Sequence, residues 1–157
     1  MGQVQWVRGR RLGVDVGSVR VGVAVCDPDG ILASPVATLA RDQTTDSDAT
    51  PSDMSEILRY VREYEAVAIV VGLPINLAGK EGPAAALIRQ YADRLAAVSA
   101  PVPVVLTDER MSTAAATRRL SERGVRGRRQ RAVIDQVAAV EILQGWLDAR
   151  RAGAVHG

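Results

Sequence analysis

Two short runs near the start of the chain decide the fold: Leu12-Gly13-Val14-Asp15-Val16 and Val21-Gly22-Val23-Ala24-Val25-Cys26. Both are rich in β-branched residues and have the length of strands, and a glycine-containing turn separates them. Asp27-Pro28-Asp29-Gly30 supplies a second turn before Ile31 to Leu39. The sequence therefore predicts three consecutive antiparallel strands.

Downstream of this meander, helical and strand patterns alternate. The predicted elements are a helix at 53–64 with Ser52 or Asp53 as N-cap, a buried strand at 66–71, a helix at 83–97, a strand at 104–107, a helix from Ser112 to about Gly124, and a last helix at 133–147. The order βββαβαβαα predicts an α/β fold with a five-stranded mixed sheet, whose late strands run parallel to the first.

The length of 157 residues suits one domain, which we place over 1–157 with flexible tails at 1–10 and 151–157. No apolar stretch approaches the roughly 20 residues that span a bilayer, and the first eleven residues do not resemble a secretion signal. The single cysteine, Cys26, suits a reducing compartment, and we expect it to be a small buried group in a strand; an intermolecular disulfide or a redox role is the alternative. These features predict a soluble, cytoplasmic protein.

Arginine dominates the positive charge, and Lys80 is the only lysine. Aromatic residues make up 3% of the chain, so nucleic-acid binding would depend on charge rather than on base stacking. A basic run contains a single acid, Glu122, and these arginines: Arg118, Arg119, Arg123, Arg126, Arg128, Arg129 and Arg131. Guanidinium groups suit phosphate, so we predict backbone contacts here; a solvated helix end is the alternative.

Asp15 is unusual because it lies inside an apolar strand. An ionised carboxylate there is costly unless a cation or a donor compensates it. Gly13, Asp15 and Gly17 share one face of the strand, so the carboxylate projects into a space bordered by residues without side chains. We predict a ligand-binding carboxylate; in the structural alternative, Asp15 caps a turn or pairs with Arg20.

Asp108 and Glu109 follow the fifth strand, where α/β sheets place ligand-binding groups. Adjacent strand residues point to opposite faces, so we expect one of the two to meet Asp15, and the sequence does not select which. Asp135 falls in the predicted first turn of the last helix. Favourable interaction with a helix dipole is the alternative for all three acids.

Taken together, these separated acids predict an oxygen-ligand site for Mg²⁺ or Mn²⁺. Two such ions could activate water and neutralise the leaving oxygen of a phosphodiester. The only histidine, His156, lies near the end of the chain, where we do not expect a general base. We therefore predict a metal-dependent nuclease, a hydrolase acting on ester bonds.

The block Gly13 to Asp27 resembles the opening of the YqgF/RuvX family of Holliday junction resolvase-like proteins and pre-16S ribosomal RNA nucleases. Three further blocks agree with that family in the same order: Val70 to Gly79, Asp108 to Thr113, and Ile134 to Ala139. The resemblance covers nearly the whole chain. The sequence departs from the family pattern at Cys26 and at Ala78, where the family often has Asp.

The resemblance implies a ribonuclease H-like fold, cytoplasmic location and maturation of the 5′ end of 16S ribosomal RNA. It implies that Asp15, Asp108, Glu109 and Asp135 are the catalytic, metal-binding acids. With the basic run, it places nucleic-acid contacts at these residues: Arg20, Asn76, Arg110, Thr113, Arg126, Arg128 and Arg129.

Two alternatives remain open for the function. The first is a Holliday junction resolvase that acts on branched DNA as a dimer, so that two sites meet two strands. The second is a non-catalytic RNA-binding factor in ribosome assembly. All three hypotheses predict a nucleic-acid partner, structured RNA, branched DNA or ribosomal precursor particles, for a monomer or homodimer with no membrane role.

Overall fold

A computed structural model describes residues 6–43, 49–117 and 127–156, with the backbone alone described at 128, 129 and 152–156. Within these residues, five strands form one sheet and three long helices pack on it. The strands are β1 (Arg11–Val16), β2 (Arg20–Cys26), β3 (Ala33–Ala40), β4 (Ala68–Leu73) and β5 (Val104–Asp108), and the helices are α1 (Ser52–Tyr64), α2 (Pro83–Ser99) and α3 (Arg128–His156). A 3₁₀ turn, Glu109–Met111, follows β5, and the backbone is helical again at 114–117.

The strand order in the sheet is β3-β2-β1-β4-β5. The β1–β2 and β2–β3 pairs are antiparallel, whereas β1–β4 and β4–β5 are parallel. This confirms the predicted mixed sheet and the parallel late strands. Because β1, β4 and β5 run in one direction, their last residues meet at one edge of the sheet, called here the carboxyl edge.

One face of the sheet packs against α1 and α2. Leu12 and Val14 of β1 lie in this core with Val71 of β4, Ile57 of α1 and Leu95 of α2. All five side chains are fully buried. Burial of branched aliphatic side chains on this scale is the main stabilising contribution of this face, at roughly 1.5–3 kcal/mol for each fully buried residue.

Helix α3 lies directly on the other face because small residues occupy the contact. Ala139 is fully buried. A Cβ at Gly13 would lie 2.6 Å from the Cβ of Leu143, and a Cβ at Gly72 would lie 2.6 Å from the Cδ1 of Ile142. Neither strand position has room for a side chain, so α3 approaches the sheet closely.

Several boundaries in the first half differ from prediction: β3 spans Ala33–Ala40 rather than 31–39, and β4 begins at Ala68 rather than at 66. The strand β4 extends to Leu73 rather than Val71, because its last residues continue the pairing with β5. Helix α1 follows Pro51, and no side chain caps it. The predicted N-cap is therefore wrong: Asp53 is buried, and its carboxylate accepts a hydrogen bond from the Tyr91 hydroxyl at 3.0 Å.

Helix α3 is longer than predicted at both ends, since it begins at Arg128 and reaches His156. Of the helix predicted after Ser112, only 114–117 is described, and the N–H of Ala114 donates to the Ser112 hydroxyl at 3.2 Å. The remainder of that helix lies outside the described residues. No helix in the described part of the chain combines the length and the apolar character needed to cross a bilayer.

The segment before β1 is held in place. The indole N–H of Trp6 donates to the carbonyl oxygen of Pro28 at 3.0 Å, and the N–H of Gly9 donates to the same oxygen at 2.9 Å. Both bonds connect residues 6–10 to the turn after β2. At the other end, the backbone of 151–156 continues α3.

Candidate metal and nucleic-acid site

Asp15 lies near the carboxyl edge, on the face of the sheet covered by α3. The residue is 3% exposed. Its partner on β2 is Gly22, and the pairing of Val14 with Val71 brings Asp15 level with Gly72 on β4. The buried Asp15 carboxylate is thus flanked by a glycine on each neighbouring strand, Gly22 on β2 and Gly72 on β4.

Helix α3 fills part of the space that the sequence predicted to be open. A Cβ at Gly22 would lie 2.1 Å from the carbonyl oxygen of Asp135 and 2.7 Å from its carbonyl carbon. Because Gly22 is the partner of Asp15, the turn of α3 that carries Asp135 lies over the Asp15–Gly22 pair. The fold therefore brings together two acids from opposite ends of the sequence.

Asp135 does not act at a helix terminus. Since α3 begins at Arg128, Asp135 lies beyond its first turn, which excludes the helix-dipole alternative for this residue. The Asp135 carboxylate instead accepts a hydrogen bond from Nε of Arg20 at 2.5 Å. The side chains of Arg20 and Asp135 are 31% and 17% exposed, so this ion pair is partly shielded from water.

The two adjacent acids after β5 occupy different surroundings. Asp108 is in register with Leu73, which belongs to the core beneath α1 and α2. Glu109, by contrast, is 5% exposed and begins a 3₁₀ turn that packs against α3. A Cβ at Gly145 of α3 would lie 2.7 Å from the Met111 carbonyl oxygen of that turn. Of the two acids, Glu109 therefore belongs to the turn that packs against α3, on the same side of the sheet as Asp15.

Asp108 forms an ion pair with Arg110, with Oδ2 and Nη2 separated by 2.7 Å. The backbone N–H of Arg110 also donates to the Asp108 carboxylate, at 2.8 Å. Hydrogen bonds from the Arg110 side chain and backbone lower the pKa of Asp108. The strand alternation directs Asp108 toward the α1 and α2 face rather than toward the face that carries Asp15.

Asp15 and Asp135 lie on the α3 side of the sheet, and the turn that begins with Glu109 packs against α3. Among the described residues, no three His, Cys, Asp or Glu side chains form a group that could hold a metal ion. The donor chemistry nevertheless fits Mg²⁺ or Mn²⁺, because Asp15, Glu109 and Asp135 all offer carboxylate oxygens. These three residues are the ones whose chemistry would suit such a cation.

Two further predicted contact residues lie near the carboxyl edge. The side-chain oxygen of Asn76, in the loop after β4, accepts the N–H groups of Ala78 and Lys80 at 3.0 Å and 2.9 Å. Asn76 therefore shapes its loop, a role that the sequence did not indicate. Thr113 is exposed just after the 3₁₀ turn.

The basic run is described only in part. Arg126 lies outside the described residues, and Arg128 and Arg129 begin α3 with only their backbone described. Arg131, one turn further along α3, is exposed. The predicted phosphate contacts of Arg126, Arg128 and Arg129 stay predictions.

Cys26 lies at the far end of β2 from this site. It is 2% exposed, and its Sγ accepts a hydrogen bond from the backbone N–H of Arg11 at 3.2 Å. Burial raises the pKa of its thiol, which disfavours the reactive thiolate. The expectation of a small buried group in a strand is confirmed.

The most informative residue that sequence reasoning left without a role is Gly22. Glycine weakens the interior of a strand and often marks the close approach of another backbone. That signal was present in the second strand, but it does not identify which segment approaches. The contact with the Asp135 backbone depends on the packing of α3.

Known protein families and solved structures provide information on this chain that is independent of its geometry. The RuvX family, described as Holliday junction resolvase, matches residues 9–149. A protein of Rhodococcus erythropolis named "Putative pre-16S rRNA nuclease" is 54% identical over 143 residues, covering 91% of this chain and 80% of that protein. A protein of Frankia casuarinae with the same name is 55% identical over 147 residues, covering 94% of this chain and 70% of that protein.

The solved structure titled "T. thermophilus RuvC in complex with Holliday junction substrate" has a TM-score of 0.51 to this chain. The alignment covers 92% of this chain and 96% of that one at 14% sequence identity, so the likeness shows the fold alone. The ribonuclease H-like fold is thereby confirmed. With the match over residues 9–149 and relatives identical at 54% and 55% of positions, the chain belongs to the RuvX family.

Proposed function

We propose that this chain is a metal-dependent nuclease that processes the 5′ end of pre-16S ribosomal RNA. Its family and the names of its relatives support nuclease activity. The observation that carries the proposal is the buried Asp15 carboxylate, which lies between glycine positions beneath the α3 turn that bears Asp135. The Asp15 carboxylate offers oxygen donors of the kind that Mg²⁺ and Mn²⁺ prefer, at the edge of the sheet over which Asp135 also lies.

In this proposal Asp15, Glu109 and Asp135 hold Mg²⁺ or Mn²⁺, with two ions as the expected number. Bound cations of this kind polarise a phosphodiester and lower the pKa of an attacking water. The burial of Asp15 and Glu109 strengthens their electrostatic interactions, since less water screens them. Asp108 has no ligand role here, because it faces the α1 and α2 side.

The substrate would be positioned by arginine. Arg126, Arg128 and Arg129 belong to the basic run that leads into α3, the helix that carries Asp135. Guanidinium groups there would contact phosphates independently of base sequence. A ribosomal RNA precursor, free or in a precursor particle, is the proposed partner, and the cytoplasm is the proposed location.

The experiment that tests this function compares wild type with Asp15→Asn on a 5′-extended 16S ribosomal RNA precursor, in Mg²⁺, Mn²⁺ or EDTA. We expect cleavage by wild type with either metal and at least about a hundredfold slower cleavage by the variant, since the loss of a ligand removes several kcal/mol of transition-state stabilisation. Asp93→Asn is the matched control, because Asp93 is exposed on α2. Its cleavage should equal that of wild type.

A second candidate, a Holliday junction resolvase, is favoured by the description of the family. The same assay therefore includes a four-way DNA junction and a measurement of oligomeric state in reducing buffer. Faster metal-dependent cleavage of the junction by a dimer would replace the RNA substrate with branched DNA. Failure of folded wild type to cut either substrate would overturn both candidates in favour of a non-catalytic RNA-binding factor.

A further inference from the structure

The ion pair of Arg20 and Asp135 joins the start of β2 to α3 above the buried Asp15. The pair is directed by the fold: Arg20 and Gly22 are alternate residues of β2 and share a face, and the Asp135 backbone packs on Gly22. The 2.5 Å bond between Arg20 Nε and Asp135 Oδ2 therefore lies at the carboxyl edge, on the side of the proposed metal ligands.

We propose that Arg20 is the resident counter-ion of Asp135, and that a divalent cation must displace it before Asp135 can act as a ligand. The inference rests on the proposed function, because it takes Asp135 as one of the metal-binding acids. A guanidinium and a divalent cation at the same carboxylate would repel each other at a separation of a few ångströms. Binding of the guanidinium to Asp135 therefore disfavours binding of a divalent cation to the same carboxylate, and the reverse also holds.

The released guanidinium gives this exchange a use in the reaction. Arg20 would leave Asp135 at the edge where a substrate phosphate must approach the metal ligands, and its planar fork suits phosphate. Metal binding would thus free a phosphate-binding group, and phosphate binding would hold Arg20 away from Asp135. By linkage, each ligand then raises the affinity of the protein for the other.

The test measures Mn²⁺ affinity of the full chain by calorimetric titration in the absence of nucleic acid. For Arg20→Gln we expect Mn²⁺ to bind about three- to tenfold more tightly than to wild type, because a partly shielded ion pair no longer competes. Arg59→Gln is the matched control, since Arg59 pairs with Glu56 and Glu63 on α1 and its loss changes the net charge equally. It should change the affinity by less than about twofold.

A double-mutant cycle separates competition between Arg20 and Mn²⁺ at Asp135 from the general electrostatic effect of removing a positive charge. Asp135→Asn should weaken Mn²⁺ binding, and adding Arg20→Gln to it should produce no tightening beyond that of the Arg59 control. Arg20→Lys keeps the charge, so its affinity should lie close to that of wild type. In thermal melts, Mn²⁺ should raise the midpoint of Arg20→Gln by more than that of wild type.

The outcomes distinguish the inference from the function on which it rests. If Asp15→Asn weakens Mn²⁺ binding but Arg20→Gln leaves it unchanged or weakens it, the exchange is overturned and the metal site stands. If wild type binds no Mn²⁺ at millimolar concentration, the metal site and the exchange both fall. An equal increase in Mn²⁺ affinity in the Arg59→Gln control would also overturn the exchange, because the increase would then reflect net charge alone.

Discussion

At the scale of single residues, the two adjacent acids after β5 show how one peptide step changes the role of a carboxylate. Asp108 is the last residue of β5, and its register partner Leu73 lies in the α1 and α2 core. Glu109 begins the 3₁₀ turn and is buried. The chemistry of the two side chains is nearly the same, so their position on the strand decides which of them can serve the proposed site.

We therefore expect Glu109→Gln and Asp108→Asn to have different effects. Glu109→Gln should slow metal-dependent cleavage by about a hundredfold or more, because a neutral amide is a poor ligand for Mg²⁺. Asp108→Asn removes an exposed ion pair with Arg110 and should lower the free energy of unfolding by no more than about 1 kcal/mol, with cleavage nearly unchanged. Single-turnover cleavage and urea unfolding of both variants measure these effects. Equal losses of cleavage would contradict the assignment.

At the scale of elements, the contact between α3 and the sheet depends on glycine at three strand positions. Gly13, Gly22 and Gly72 each lie where a Cβ would overlap atoms of α3. At Gly22 the overlapping atoms belong to the helix backbone, which cannot move aside as a side-chain end can. The same contact that packs the helix therefore also sets the position of Asp135 relative to Asp15.

Gly22→Ala should consequently affect both stability and cleavage. Its Cβ would lie 2.1 Å from the Asp135 carbonyl oxygen, so α3 must shift. We expect a loss of about 1–3 kcal/mol in the free energy of unfolding, typical of overpacking, and slower cleavage in protein that is still folded.

The control is Gly82→Ala, because a Cβ at Gly82 meets no atom within 4 Å. Its φ of −104° is also accessible to alanine. Denaturant melts and cleavage assays of both variants, made at one temperature, provide the comparison. A Gly22→Ala protein as stable and as active as Gly82→Ala would show that α3 does not depend on this contact.

At the scale of the whole molecule, the segment before β1 contacts α3 through two tilted indole rings, each with a guanidinium group over it. The ring centroids of Trp6 and Trp146 are 6.3 Å apart. Arg11 lies over the Trp6 ring at 3.8 Å, and Arg150 lies over the Trp146 ring at 4.1 Å. These contacts join the two ends of the chain, at the end of β1 remote from Asp15.

Trp6→Ala should lower the free energy of unfolding by about 2–3 kcal/mol, since it removes a half-buried ring, a cation–π contact and the hydrogen bond to Pro28. The melting midpoint should fall by roughly 5–10 °C for a chain of this size. Cleavage at 25 °C should be unchanged, because the proposed site lies at the other end of the strand. Val7→Ala, at a neighbouring residue that is 67% exposed, is the control and should melt as wild type does. A melting midpoint unchanged by Trp6→Ala would contradict the stabilising role of this contact.

Much of the fold could be predicted because it depends on local patterns. Alternating and continuous apolar runs predicted the five strands along the chain and the parallel direction of the late ones, and helical spacing predicted α1, α2 and α3. The errors concern ends: the start of α3 at Arg128 and the cap of α1. The cap was wrong because the Asp53 carboxylate bonds to Tyr91, a residue far away in sequence, which periodicity does not report.

The sequence by itself determined the type of sheet, the acids available to it and the family resemblance, because these follow from residue order and composition. Only the tertiary structure decided that Glu109 rather than Asp108 lies on the side of α3, that Asp135 lies over Gly22, and that Arg20 pairs with Asp135. The physical reason is that strand alternation fixes two faces, whereas the face that receives the last helix is chosen by packing. In this chain, α3 packs on the face where the glycine positions of β1, β2 and β4 have no side chains.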